Sequence, residues 1–208
     1  MNHIGWAYLI AGVTSTIAGL LALRSLPAAT PEIHSEPLPP LQINRQVIGA
    51  VVGTAATGLC VGVYETCWSL LMHSFGASSA QIRLSWTFFC VPWLILATVG
   101  GKLADKFDRR LIATLGGLNG AFFLFLYPHI HNITLLLILG SGEAIGAALS
   151  VSSLSSLLTQ GAHDRELGRR QGISTTANTA ALALSALFSG QLFAISPGLP
   201  FTVVAAIS

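Results

Sequence analysis

A chain of 208 residues with 9% charged and 52% hydrophobic side chains cannot cover a soluble surface, where about a quarter of residues carry charge. The same figures exclude an intrinsically disordered chain, which needs low hydrophobicity and high charge. A net charge of +2 offers nucleic acid no electrostatic footprint, and Cys60, Cys67 and Cys90 lie in apolar stretches with neither zinc nor disulfide spacing.

A membrane helix needs about 20 mostly apolar residues. The first such run is Ile4–Leu23. A signal peptide competes for any N-terminal apolar run, but Met1-Asn2-His3 supplies no Lys or Arg and the run exceeds an ordinary signal core. Residues 27–40, PAATPEIHSEPLPP, cannot stay helical with so many prolines and read as a solvated linker. Further runs follow at Val47–His73, Ile82–Gly101, Leu111–Tyr127, Ile133–Leu158 and Ile173–Ile195. Phe201–Ser208 is less than half a crossing, so the expectation is six spans plus a truncated last helix.

Lys and Arg are retained in short cytoplasmic loops. Alternating the spans puts Arg24, Arg45, Lys102, Lys106, Arg109, Arg110, Arg165, Arg169 and Arg170 on one side and leaves only Arg83 of the 10 basic residues on the other. The Pro-rich linker, KLADKFDRR and GAHDRELGRR are therefore expected in the cytoplasm. Small residues recur four apart at Gly49/Gly53, Gly58/Gly62, Gly116/Gly120, Gly142/Gly146 and Ser185/Ser189, the spacing that lets membrane helices approach closely.

The segment Gly101-Lys102-Leu103-Ala104-Asp105-Lys106-Phe107-Asp108-Arg109-Arg110 resembles the cytoplasmic loop motif of the major facilitator superfamily. Gly101, Leu103, Ala104, Asp105, Lys106, Arg109 and Arg110 match it, and Asp108 stands where the family usually has Gly. Tyr64-Glu65-Thr66 with Trp68, Gly76-Ala77-Ser78, Pro92, Gly168-Arg169 and Gly172 extend the resemblance to the C-terminal half of a drug-efflux-type facilitator. Val151-Ser152 departs from it, where many relatives have a Pro.

The resemblance implies an all-α, polytopic helical membrane protein built as the C-terminal bundle of that fold. Residues 1–26 then resemble the last helix of an N-terminal half, 27–45 a cytoplasmic linker, and 46–208 a C-terminal transporter bundle. It also implies that Gly101, Leu103, Asp105, Lys106, Arg109 and Arg110 gate the cytoplasmic side. Asp105 can accept from Arg109 or from a helix N-terminus, whose free N–H groups favour an anion.

Glu65 and Glu143 are the two acids inside spans. A charge at mid-bilayer costs roughly 3 kcal/mol on insertion scales, so each is a candidate for proton coupling or substrate binding. Glu143 lies near the midplane, whereas Glu65 lies nearer the outer end and within reach of Arg83 on the next span. Trp68, with Trp86 and Trp93, is a candidate for a flat hydrophobic substrate, and Asn178, with Gln191, for a cavity-facing amide. His129 and His131 have a metal-like spacing, but no carboxylate or Cys stands nearby, so neither a metal nor a cofactor is expected.

Ser150, Ser152, Ser153, Ser155 and Ser156 lack a histidine at similar depth, which argues against an embedded enzyme. The reading is a partial secondary transporter in the cell membrane. In full-length form it exports small hydrophobic compounds in exchange for protons, by alternating access. Its partners are the lipid bilayer, the missing N-terminal half, the substrate and protons. The alternatives are a non-transporting remnant or interaction subunit, or uptake of a small metabolite.

Overall fold

The computed structural model describes residues 3–25, 41 and 43–208, and everything described is helix, turn or connection. The chain divides into two units, Met1–Pro39 and Pro40–Ser208. The first contains α1 (His3–Ser25), which exposes Leu9, Val13, Ile17, Leu20 and Leu21; a helix apolar all round suits apolar surroundings. Nearly all of the expected linker lies outside the described residues.

The second unit contains α2 (Arg45–Ser74), α3 (Ser79–Lys106), α4 (Arg109–Leu126), a short 3-10 turn at Tyr127–His129, α5 (Ile133–Thr159), α6 (Asp164–Ile195) and α7 (Leu199–Ile207). Five of these, α2 to α6, are long and apolar enough to cross a membrane; in α1 the apolar stretch is Gly12–Ala22. The helix ends are set locally. Asn44 caps α2 by accepting from the Val47 N–H at 2.9 Å, and Asn132 caps α5 by accepting from the Leu135 N–H at 3.1 Å. At the α2–α3 turn Gly76 takes a φ of +81°, which a side chain resists, and Ser78 and Gln81 form a reciprocal capping box at the start of α3.

The motif read as a loop is largely helical. Lys102-Leu103-Ala104 are good helix formers, and α3 continues through them to Lys106. Only Phe107 and Asp108 separate α3 from α4. Asp108 is the N-cap of α4, accepting from the Arg110 N–H at 2.9 Å, so a carboxylate does here what the expected glycine would not.

Packing follows a three-plus-three pattern. Exchanging α2 with α5, α3 with α6 and α4 with α7 maps the main contacts onto one another: α2 lies along α6 as α5 lies along α3, and α4 meets α5 as α7 meets α2. Each long pair is stitched by side chains to backbone. Asn178 Nδ2 and Ser185 Oγ of α6 donate to the α2 carbonyls of Thr54 (2.8 Å) and Leu59 (2.7 Å). Ser141 and Ser152 of α5 donate to the α3 carbonyls of Phe88 (2.9 Å) and Ala97 (3.4 Å). The Phe88 carbonyl is the one that Pro92, lacking an N–H, leaves without its helical partner, so Ser141 fills a vacancy made by the proline.

Small residues make these approaches possible, though not all the rows do so. A methyl group at Gly58 would overlap the Asn178 carbonyl, one at Gly62 would stand 2.6 Å from the Leu182 carbonyl, and one at Gly116 would stand 2.6 Å from the Gly146 carbonyl. Gly49 and Gly120 instead face open space. Gly58→Ala is expected to push α6 off α2 and lower stability by about 1–3 kcal/mol, read as thermal unfolding in detergent. Gly49→Ala leaves stability unchanged or raised in the same measurement.

Candidate functional site

Glu143 lies near the middle of α5 and is 6% exposed. Two phenols from other elements reach its carboxyl group. Tyr64 of α2 donates to Oε1 at 2.6 Å, and Tyr127, in the 3-10 turn after α4, donates to Oε2 at 2.7 Å. Burying a carboxyl group without partners is costly; here each oxygen has one.

An aromatic cluster supports the two phenols. The Trp68 ring lies 5.0 Å from Tyr127 and 5.8 Å from Tyr64, and Phe201 of α7 lies 6.2 Å from Tyr64, all edge to face. Such pairs gain from ring quadrupoles as well as burial. The Trp68 indole N–H donates to Ser85 Oγ of α3 at 2.8 Å, and the Ser85 hydroxyl donates to the Ile82 carbonyl at 2.7 Å.

Glu143 is a wall between two spaces. On the α3 side is a cavity of about 40 Å³ bordered by Tyr64, Trp68, Ser85, Trp86, Tyr127 and Glu143, above the roughly 10–15 Å³ that a cavity needs to hold a water. On the other side is a groove of about 540 Å³ between α2, α4 and α5, bordered by Tyr64 and Glu143. A carboxylate with two donors is acceptor-only. When it takes a proton it gains a donor on one oxygen, which offers the phenol there the choice of turning from giving to accepting.

The other sequence candidates are dispersed. Glu65 does not pair with Arg83: both are exposed, and among the described residues no ion pair joins them. Tyr64 and Trp68, four apart, both point inward, so Glu65, rotated about 100° from Tyr64, turns to the outer face with Ser69. Asn178 is half-buried and committed to the Thr54 carbonyl. Trp86 borders the small cavity, and Gln191 is exposed.

His129 bonds the Phe125 carbonyl through Nδ1 at 2.9 Å, and the His131 ring lies tilted against Phe75 with centroids 4.6 Å apart. Ser150 donates to the Ala113 carbonyl, which gives it a packing role. In the α3–α4 motif the surroundings of Gly101 and the side chains of Leu103 and Asp105 lie outside the described set, Lys106 stands 5.9 Å from the Phe107 ring, and Arg110 is exposed and Arg109 half-buried.

Sequence reasoning missed Tyr127 and Ser85. The available signal was scarcity: the chain has three tyrosines, a buried phenol needs a hydrogen-bond partner, and Glu143 is an acid inside a span.

The model of the Major Facilitator Superfamily matches residues 47–208. The chain is similar to the quinolone resistance protein NorA of Staphylococcus aureus strain MRSA252, with 18% identity over 165 residues that cover 79% of this chain and 42% of the relative. The proteins of that name from strains N315 and COL give the same identity and coverage. The chain therefore spans less than half the length of the curated relatives it matches. With its apolar helices, motif and family match together, this multi-pass membrane protein belongs to the major facilitator superfamily.

Proposed function

We propose that this chain is the C-terminal half of a proton-driven exporter of small, largely apolar compounds. Residues 1–26 act as the last helix of an N-terminal half and so as a sixth span, 27–45 as the cytoplasmic linker, and 46–208 as the C-terminal bundle of the cell-membrane carrier. The Pro-rich linker and basic connections face the cytoplasm, as their Lys and Arg favour. The observation that carries the reading is a buried carboxyl group, Glu143, bonded to Tyr64 and Tyr127 beside an aromatic cavity. The name of the relatives, quinolone resistance protein, supports an efflux role.

In this mechanism Glu143 takes up and releases the proton. Protonation turns one phenol, and with Tyr64 released α2 parts from α5 and the cavity widens toward a flat substrate that packs on Trp68. Glu65, exposed on an otherwise apolar helix, faces the second bundle, because lipid would penalise its charge. Asn178 holds α6 to α2 through the cycle. The motif from Gly101 to Arg110 closes the cytoplasmic side, with Asp105, Lys106, Arg109 and Arg110 exchanging partners across the two halves.

Alternating access needs two bundles rocking about one site. Proteoliposomes holding the 208-residue chain alone are expected to show no substrate-driven proton movement. The same chain preceded by the five further spans that complete an N-terminal half is expected to couple the two. Coupled transport by the chain alone would refute the division of labour, and no transport by the joined protein would refute the carrier reading.

A further inference from the structure

Two glycines among the described residues, Gly76 and Gly161, take a positive φ in tight connections between helices. Gly198, in the connection from α6 to α7, is different. Its φ of −83° and ψ of −19° suit any residue, so its backbone does not call for glycine. What a side chain there lacks is room: a Cβ would stand 2.8 Å from Pro128 Cβ and 3.6 Å from Pro128 Cγ, where carbon atoms in contact keep about 3.5–4.0 Å.

Neither side of this contact gives way cheaply. Pro197 and Pro200 stand on either side of Gly198, each with a fixed φ. The Leu199 N–H donates to the Ser196 carbonyl at 3.0 Å and the Thr202 N–H to the Gly198 carbonyl at 3.1 Å, while Pro200 and Phe201 are fully buried. Opposite, Pro128 belongs to the 3-10 turn, which the Ile130 N–H closes by donating to the Tyr127 carbonyl at 3.2 Å. The atom that a side chain would strike is part of a ring closed onto the backbone and not the end of a flexible chain.

Pro128 follows Tyr127 directly, and the Tyr127 hydroxyl donates to Glu143 Oε2 at 2.7 Å. Restoring an ordinary contact displaces Pro128 by about 0.7 Å or more. Carried to Tyr127, that displacement takes its bond past the roughly 3.0 Å limit of an O–H···O hydrogen bond. The same corner reaches the second phenol, since the Phe201 ring lies edge to face on Tyr64 at 6.2 Å.

We propose that Gly198 is a positioning residue for Glu143: its bare backbone lets the α6–α7 corner seat Pro128, and through it Tyr127, on the carboxyl group. Movement of this corner against α4 thereby reaches the carboxyl group through Pro128. The role in transport rests on the reading of Glu143 as the proton carrier; the seating of Tyr127 does not.

The chain has three tyrosines, Tyr8, Tyr64 and Tyr127, so fluorine NMR of the 208-residue chain labelled with meta-fluorotyrosine gives one signal for each, assigned by single Tyr→Phe substitutions. Gly198→Ala is expected to move the Tyr127 signal and leave Tyr8 in place. Gly190→Ala, at a position on α6 with nothing within 4 Å of its Cβ site, is expected to move none. In the Pro128→Gly background, which removes the atom struck, Gly198→Ala is expected to leave Tyr127 unmoved. In the joined carrier Gly198→Ala is expected to lower proton-driven transport by about 10- to 100-fold, the scale on which a misplacement of about 1 Å acts, and to spare equilibrium exchange of substrate. An unmoved Tyr127 signal, or an equal movement with and without Pro128, overturns the proposal. Loss of exchange along with coupling also overturns it, because a damaged bundle loses both. A displaced Tyr127 signal with coupled transport unchanged overturns the proton reading of Glu143, and with it the role of Gly198 in transport.

Discussion

Glu143→Gln in the joined carrier is expected to lower proton-driven transport by roughly 100-fold, the scale on which loss of a proton-transfer group acts, with little change in folding. Glutamine keeps the volume and still accepts from one phenol through its oxygen. Its amide donates to the other phenol, whose hydroxyl turns to accept. What it cannot do is exchange a proton, so the two phenols stay in one arrangement. Equilibrium exchange of substrate across the membrane, which needs no net proton movement, should survive. Vesicles with a pH-sensitive dye and labelled substrate measure both. Loss of exchange together with coupling would mean that Glu143 binds substrate and does not carry the proton.

Arg170→Ala is expected to be the most damaging structural change, costing about 3–5 kcal/mol by leaving a buried partner charge uncompensated. Glu166 and Arg170 are each 2% exposed at the side chain and pair at 3.0 Å within α6. Arg170 also donates to the carbonyls of Leu158 (3.4 Å) and Gln160 (3.3 Å), which the end of α5 leaves without helical partners. The pair therefore closes the α5–α6 connection as well as neutralising itself. Replacing both partners, with Glu166→Gln and Arg170→Met, should recover much of the loss, because an apolar pair of similar size does not strand a charge. Chemical unfolding in detergent gives the ΔΔG values, and hydrogen exchange at residues 158–166 should rise in Arg170→Ala first. An Arg170→Ala protein as stable as the parent would remove this account.

The membrane helices were legible because lipid imposes a length rule: an apolar run of about 20 residues has few other uses. Val47–His73 became α2 at Arg45–Ser74, and Ile133–Leu158 became α5 at Ile133–Thr159, each within two residues at either end. Glu143 was legible for a related reason, since an acid inside a span is rare and costly. Its partners were not. Tyr127 stands near a span end, where a tyrosine is ordinarily an interfacial anchor, and nothing in the chain order shows that a turn carries it under α5.

Glu65 and Glu143 look alike along the chain, yet one turns out and the other in. That difference lies in helix phase, set by which of Tyr64 and Glu65 shares a face with Trp68. The glycine rows show the same limit. Gly58-xxx-Gly62 is a packed crossing and Gly49 an open wall, and the spacing alone separates neither from the other. The motif from Gly101 to Arg110 gave its residue types correctly and its shape wrongly, because a short polar segment between spans is ambiguous until its cap, Asp108, is known.

The two kinds of polar contact around Glu143 differ in what they allow to move. Asn178, Ser185, Ser141 and Ser152 grip main-chain oxygens, which shift only when a whole helix shifts, so α2 with α6 and α3 with α5 behave as two planks. At the cavity the planks meet through Tyr64 on Glu143 and Trp68 on Ser85, where both ends are side chains and a single torsion suffices to part them. Pro92 sharpens the contrast: sliding α3 along α5 would strand the Phe88 carbonyl in hydrocarbon, so the seam that yields first is the one beside Tyr64.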